Sequence, residues 1–439
     1  MRFYSTNNPS FFTSLKEAVL QGLAPDNGLY MPEKIPVLPQ EFFAGMHEMT
    51  FRQIAFEVAS KFSDEDVPGE QLKRILDHTI AFDAPLVEVE ENISALELFH
   101  GPTMAFKDFG ARFMSQLLGF FSEQIKREVV ILVATSGDTG SAVANGFLGV
   151  PGIRVIVLYP RGKVSDIQEK QFTTLGKNVT ALEVQGTFDD CQRLVKTAFL
   201  DQHLRDDYFL TSANSINIAR LIPQTFYYFY AYARRKHPNK PVVVSVPSGN
   251  FGNLTAGLFA KRMGLPVEKF VAATNVNDVV PEYLKTGTMT PRPSRHTLSN
   301  AMDVGNPSNF ARMMDLYHGD VNAVAKDIVG YSFTDLETEE AMERVSRQHQ
   351  YTLDPHGAVG YLGLKKYMAE HPASLNGIFL ETAHPAKFRE VVEKAIKQSI
   401  PLPETLEKFI KGKKETVPVS NDYADFKKKL VVLLRASGG

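Results

Sequence analysis

The chain has 439 residues, of which 44% are hydrophobic and 22% charged, with a formal net charge of −2. That length predicts roughly two or three globular domains, and the near-neutral balance excludes an overall electrostatic pull toward nucleic acid or a membrane surface. A single cysteine, Cys191, excludes an intrachain disulfide and a cysteine-based metal cage; behind Asp189 and Asp190 it reads as an ordinary thiol.

Residues 1–8 are polar where a secretory signal needs an apolar core, and the longest apolar runs are strand-sized, so a cytoplasmic protein is expected. Residues 1–85 read as a mostly helical segment, with apolar residues at helical spacing over 51–62 and 71–78. No chemistry-bearing motif falls there, and a docking or capping role is expected.

From Leu86 the texture changes to short Val- and Ile-rich runs alternating with helical stretches. Strands are predicted at 129–134, 154–158, 179–184, 241–246, 270–275 and 377–380. Several are apolar throughout, as parallel strands covered on both faces should be. The expected fold class is therefore α/β, with two open, mostly parallel sheet domains covered by helices behind the helical N-terminal segment. The expected division is a smaller α/β domain over 86–225 and a larger one over 226–439. The tail of the larger domain carries lysine-rich stretches at 411–414 and 427–429 that read as solvated helical faces.

Polar loops follow three of these strands, where open α/β sheets place ligands. Thr135-Ser136-Gly137-Asp138-Thr139-Gly140 opens a helix, and its hydroxyls and N–H groups suit a carboxylate or another anion. The same residues would also serve as an N-cap cluster. Ser248-Gly249-Asn250-Phe251-Gly252-Asn253 sits between a strand and a helix, where free backbone N–H groups can cradle a phosphate. It lacks the lysine of a P-loop and the spacing of a dinucleotide fingerprint, and a plain turn is its bland alternative. Glu381-Thr382-Ala383-His384-Pro385 follows the third strand. His356 and His384 have no partners at metal-ligand spacing, so structural roles and no metal are expected.

A lysine completes the set. In His100-Gly101-Pro102-Thr103-Met104-Ala105-Phe106-Lys107-Asp108-Phe109-Gly110, Pro102 marks a helix start and Lys107 lies among Met104, Phe106 and Phe109. Apolar surroundings disfavour the ammonium form, which a Schiff-base amine requires; a lysine alone would more simply lie along the aromatic patch or pair with Asp108. A phosphate cradle, an anion loop and an amine at one crevice are what pyridoxal phosphate and an amino-acid substrate together ask for.

At these residues the chain resembles the threonine synthases, within the pyridoxal-phosphate enzymes of tryptophan-synthase-β type (fold type II). The resemblance runs from Tyr4-Ser5-Thr6 through Asp26–Tyr30, the lysine segment and Asn214–Arg220 to Ala301-Met302-Asp303, Pro307–Phe310 with Arg312, Asp354–Gly360 and Glu381–Lys387. It implies a Schiff base on Lys107, and Gly249, Asn250, Phe251, Gly252 and Asn253 around the cofactor phosphate. It implies Thr382 at the pyridine nitrogen, and Asp138 near the ring oxygen where many members of the wider group have asparagine. Thr135, Ser136 and Thr139 would receive the substrate carboxylate. Lys163, Ser165, Asn217 and Arg220 are candidates for the substrate phosphate, with surface or structural roles as the alternative for the two cations.

The implied reaction converts O-phospho-L-homoserine and water to L-threonine and phosphate, in a monomer or homodimer with no nucleic-acid or membrane partner. A threonine or serine dehydratase of the same cofactor group is the alternative enzyme, and a non-catalytic threonine-synthase-like binding protein the alternative of another class.

Overall fold

The computed structural model describes residues 1–63, 65–125 and 127–435. In chain order the strands are β1 (Phe3–Ser5), β2 (Asn8–Thr13), β3 (Tyr30–Pro32), β4 (Leu86–Glu90), β5 (Ile93–Glu97), β6 (Val129–Ala134), β7 (Ile153–Pro160), β8 (Val179–Gln185), β9 (Phe209–Thr211), β10 (Val242–Pro247), β11 (Val267–Thr274), β12 (Ile328–Ser332), β13 (Asn376–Glu381) and β14 (Val417–Ser420). They form a three-stranded sheet ordered β2-β1-β3, a six-stranded sheet ordered β12-β11-β10-β13-β5-β4 and a five-stranded sheet ordered β14-β8-β7-β6-β9.

The two larger sheets are parallel except for the β4–β5 hairpin, and helices cover them. The α/β architecture expected from the sequence is thus what the structure has. β6, β7, β10 and β13 are buried at every position, which is why they read as largely apolar runs. No helix among the described residues is long and apolar enough to cross a membrane.

One expectation is extended and one corrected. Beside the helices Leu15–Gln21, Gln40–Gly45, Phe51–Ser63 and Gly69–Thr79, the segment 1–85 carries a small antiparallel sheet of β1, β2 and β3. The sheets do not follow a linear division at 86 and 226. β4 and β5 extend the six-stranded sheet, with β5 pairing β13, and β14 returns from the far end of the chain to pair β8 in the five-stranded sheet. The edge strands β4 and β14 are short and part-exposed, so they lack the apolar run that marks a central strand.

The N-terminal segment shares its core with the rest of the molecule. Phe51 stacks on Tyr230 at 4.4 Å between ring centroids and meets Phe109, on the helix Lys107–Ser122, at 5.8 Å. Cys191 is buried, and burial pushes its thiol up to about 12, away from nucleophilic chemistry.

Candidate active site

The lysine segment is clamped onto the loop that follows β13. Ala105 and Ala383 form an antiparallel bridge, the Phe106 N–H donates to the Thr382 carbonyl at 2.8 Å, and the His384 N–H donates to the Met104 carbonyl at 3.0 Å. The helix begins at Lys107 itself, later than Pro102 suggests. The intervening turn is held by Thr103, whose N–H and hydroxyl donate to the two oxygens of buried Asp108 at 2.9 and 2.6 Å. Lys107 and Thr382 are thereby neighbours through backbone contacts alone.

Lys107 Nζ lies 3.9 Å from Asp138 Oδ2, which brings the loop after β6 in the five-stranded sheet to the lysine. Burial lowers the Lys107 pKa, Asp138 opposes that shift, and the charges of Lys387 and Arg220 add to it. Asp138 is the reverse case. Burial would raise its carboxyl, but Lys387 and Lys107 outweigh burial and hold it well below the usual carboxylate range. Lys387 Nζ is 2.7 Å from Asp138 Oδ1, and Gln168 Nε2 donates to the same oxygen at 2.9 Å.

The loop after β10 turns directly into the helix Gly252–Arg262, with Phe251 in the left-handed region at φ 58°. Among the described residues, the backbone N–H groups of Gly249, Asn250, Phe251, Gly252 and Asn253 have no acceptor. The side chains brace the loop instead. Asn250 donates to Ser215 Oγ and accepts from the Ser308 N–H, both at 2.5 Å, and Asn253 Nδ2 donates to the Pro247 carbonyl at 2.8 Å. Gly249 is required for close approach: a Cβ there would lie 2.7 Å from the Ala301 carbonyl oxygen and from Met302 Cα.

The phosphate cradle and the lysine segment lie at the same end of the six-stranded sheet. β10 and β13 are parallel neighbours, so their following loops emerge at the same end of the sheet. A chain of buried contacts joins them from behind. The Ala301 N–H donates to His356 Nε2 at 3.2 Å, His356 Nδ1 meets Asp354 Oδ1 at 2.6 Å, and the Asp354 N–H donates to Glu381 Oε1 at 2.6 Å. Because His356 Nε2 is an acceptor here, its proton sits on Nδ1 and is given to Asp354.

The structure places the remaining sequence candidates unevenly. Ser136 and Thr139 are half-buried at the start of the helix Asp138–Gly146, and the N–H groups of Ser136, Asp138 and Thr139 have no backbone acceptor among the described residues. The Thr135 hydroxyl accepts from the Gly137 and Gly140 N–H groups at 2.9 and 2.8 Å, the capping role that the sequence also allowed. The Ser165 hydroxyl caps the helix Asp166–Thr173 and donates to Gln168 Oε1 at 2.9 Å, the residue that holds Asp138.

Asn217 is buried, caps its own helix Ile218–Leu221 and donates to the Val19 carbonyl at 2.9 Å, a brace to the N-terminal segment. Arg220 is buried, with Nε unpartnered and its pKa pushed down to about 10 by burial. Lys163 is exposed on the turn after β7. Sequence reasoning missed Lys387. It lies within the Glu381–Lys387 match, but nothing local to it marks an ion pair with Asp138.

These residues fit pyridoxal phosphate. Free amides at a helix start suit its phosphate, a lysine with a lowered pKa suits its aldehyde, and Thr382, only 6% exposed beside that lysine, suits its ring nitrogen.

Residues 83–377 match the pyridoxal-phosphate dependent enzyme family, residues 2–80 the threonine synthase N terminus and residues 357–430 the threonine synthase C-terminal region. The chain is 46% identical to a threonine synthase of Haemophilus influenzae, over 97% of this chain and 99% of that one. Its fold matches the crystal structure of threonine synthase from Escherichia coli with a TM-score of 0.91 at 42% identity, covering 99% of this chain and 100% of that one. It also matches a PLP-bound threonine synthase from Brucella melitensis, with a TM-score of 0.92 at 33% identity and 98% of each chain covered. A threonine deaminase from Solanum lycopersicum, at 16% identity and a TM-score of 0.55, shares the fold alone. The chain belongs to the threonine synthase family of pyridoxal-phosphate-dependent enzymes.

Proposed function

We propose that this enzyme converts O-phospho-L-homoserine and water to L-threonine and inorganic phosphate in the cytoplasm, with Lys107 carrying the cofactor. The observation that carries this reading is that Lys107, Asp138 and Thr382 meet beyond the end of β13, whose parallel neighbour β10 ends in the free amides of 249–253. When bound, the cofactor supplies the electron sink that makes carbon–hydrogen bonds of the substrate acidic.

The chain's own residues do the rest. Lys107, with its nitrogen free, would move protons at Cα and Cβ of the substrate as a general base and acid. Its lowered pKa suits that work, because a neutral amine is available to accept a proton. Ser136, Thr139 and the free N–H groups at the start of the helix Asp138–Gly146 receive the substrate carboxylate. Arg220 and Lys163 supply the positive charge that a departing phosphate requires, Arg220 from the buried side. Thr135, Ser165 and Asn217 act at one remove, by fixing the backbone and Gln168.

The test is product analysis with the purified protein and pyridoxal phosphate. O-phospho-L-homoserine should yield threonine and phosphate in equal amounts. Ammonia and a 2-oxo acid from threonine or serine, with no phosphate release from the phosphorylated substrate, would place the chain among the dehydratases instead.

A further inference from the structure

Lys387 has no part in the roles assigned so far, yet it is a fully buried cation at the centre of the site. It lies in the short turn Pro385–Phe388 after β13. Its Nζ donates to the Thr103 carbonyl at 2.8 Å and pairs with Asp138 Oδ1 at 2.7 Å. The lysine segment, the six-stranded sheet and the loop of the five-stranded sheet therefore meet at one ammonium group.

Asp138 is held unequally. Oδ1 is gripped by Lys387 and Gln168, while Oδ2 faces Lys107 at 3.9 Å. A buried carboxylate with Lys107 as its only cation would be left without a counter-charge whenever Lys107 became neutral, and would then take up a proton or turn away. With Lys387 fixed on the other oxygen, that does not happen. We infer that Lys387 is a positioning residue of the reaction: it keeps Asp138 ionised and turned, so that Oδ2 stays directed at Lys107 whether the Lys107 nitrogen is charged or neutral. This rests on the reading that Lys107 carries the cofactor.

The charges facing each group fix the signs of the test. Lys107 is faced by Asp138, Lys387 and Arg220. Asp138 is faced by Lys107 and Lys387, and the other ionisable groups near Lys387 are Asp108, tied to Thr103, and His384. Removing the Lys387 charge takes a cation away from the Lys107 nitrogen and leaves the anion. Removing the Asp138 charge does the opposite.

The experiment is a pH titration of cofactor absorbance in the full-length holoenzyme, together with cofactor affinity. Lys107→Ala serves as control: loss of the titrating absorbance supports the cofactor reading, and its persistence would overturn that reading and the present inference with it. Given that loss, Lys387→Met should move the titration midpoint to higher pH and weaken cofactor binding by about tenfold. Asp138→Asn should move the midpoint to lower pH. In the double variant the midpoint should return toward the wild-type value, with affinity recovered to within about threefold. A purely structural role for Lys387 would lower the melting temperature of each variant without opposite displacements of the midpoint. An unmoved midpoint in Lys387→Met, or single-variant affinity losses that multiply in the double, overturns the inference. If Lys387→Met does not fold, the double variant, whose pair is neutral, should still fold and bind cofactor; its failure to do so overturns the inference equally.

Discussion

Glu381 stands one residue before Thr382 and is fully buried, with Oε1 accepting from the Asp354 N–H at 2.6 Å and Oε2 unpartnered. Burial, and then the charge of Asp354, push its carboxyl well above the ordinary glutamate value. In the unfolded chain the same carboxyl ionises near pH ~4.3, so above that pH unfolding releases a proton that the folded protein retains. Stability should therefore fall as pH rises from the unfolded value toward the folded one. Glu381→Gln removes that slope, and melting curves should show the variant gaining on the wild type between about pH 5 and about pH 8. A melting-temperature difference constant across that range would contradict this account of Glu381. At this scale the sequence is informative where chemistry is local. Lys107 among aromatics and the glycine-rich 249–253 loop announce themselves. Lys387 does not, because its partner Asp138 lies far along the chain at the helix start that follows β6, and a polar residue such as Asn217 in a matched motif reads the same whether it binds ligand or braces a loop.

Helices and strands set the accuracy of the site. The cradle depends on the turn between β10 and the helix Gly252–Arg262, where Phe251 adopts φ 58° and Gly249 lies against the 301–302 backbone. In Gly249→Ala the added Cβ meets backbone atoms at 2.7 Å, so the loop or the 301–302 segment must move. Cofactor affinity should drop by about tenfold or more, while the melting temperature of the cofactor-free protein falls by only a few degrees, in keeping with about 1 kcal/mol of local strain. Fluorescence titration with pyridoxal phosphate checks this, and unchanged affinity would show that the cradle tolerates the displacement. The central strands are legible in sequence because burial on both faces demands largely apolar runs. β4 alternates with acidic residues at an exposed edge, and β9 has 3 residues, so neither carries that signal.

Across the whole molecule, Arg312 joins parts that the linear sequence keeps apart. Its fully buried guanidinium donates to the Tyr30 carbonyl at 3.1 Å, the Ile216 carbonyl at 2.7 Å and Asn309 Oδ1 at 2.8 Å, and burial pushes its pKa down to about 9. The N-terminal segment is thus fastened to the elements that brace the cradle, since Asn250 holds Ser215 on one side and the Ser308 N–H on the other. Arg312→Met would leave those buried carbonyls without donors, at a cost of about 3 kcal/mol. Denaturant unfolding should show that loss, and cofactor should stabilise the variant less than the wild type, because weaker binding gives less stabilisation at equal ligand concentration. Equal stabilisation by cofactor in both proteins would separate Arg312 from the cradle. The same long-range fastening explains why a linear domain division fails here, with β4, β5 and β14 completing sheets distant in sequence.

The account turns on Lys107 as the cofactor-bearing residue, and Lys387 is a second buried amine in the same site. The most direct measurement is borohydride reduction of the holoenzyme followed by peptide mass mapping, which fixes the cofactor permanently to whichever lysine holds it. The account expects one pyridoxyl adduct, on the peptide that contains Lys107, and none on Lys387. An adduct on Lys387 or on a surface lysine, with Lys107 unmodified, would contradict it.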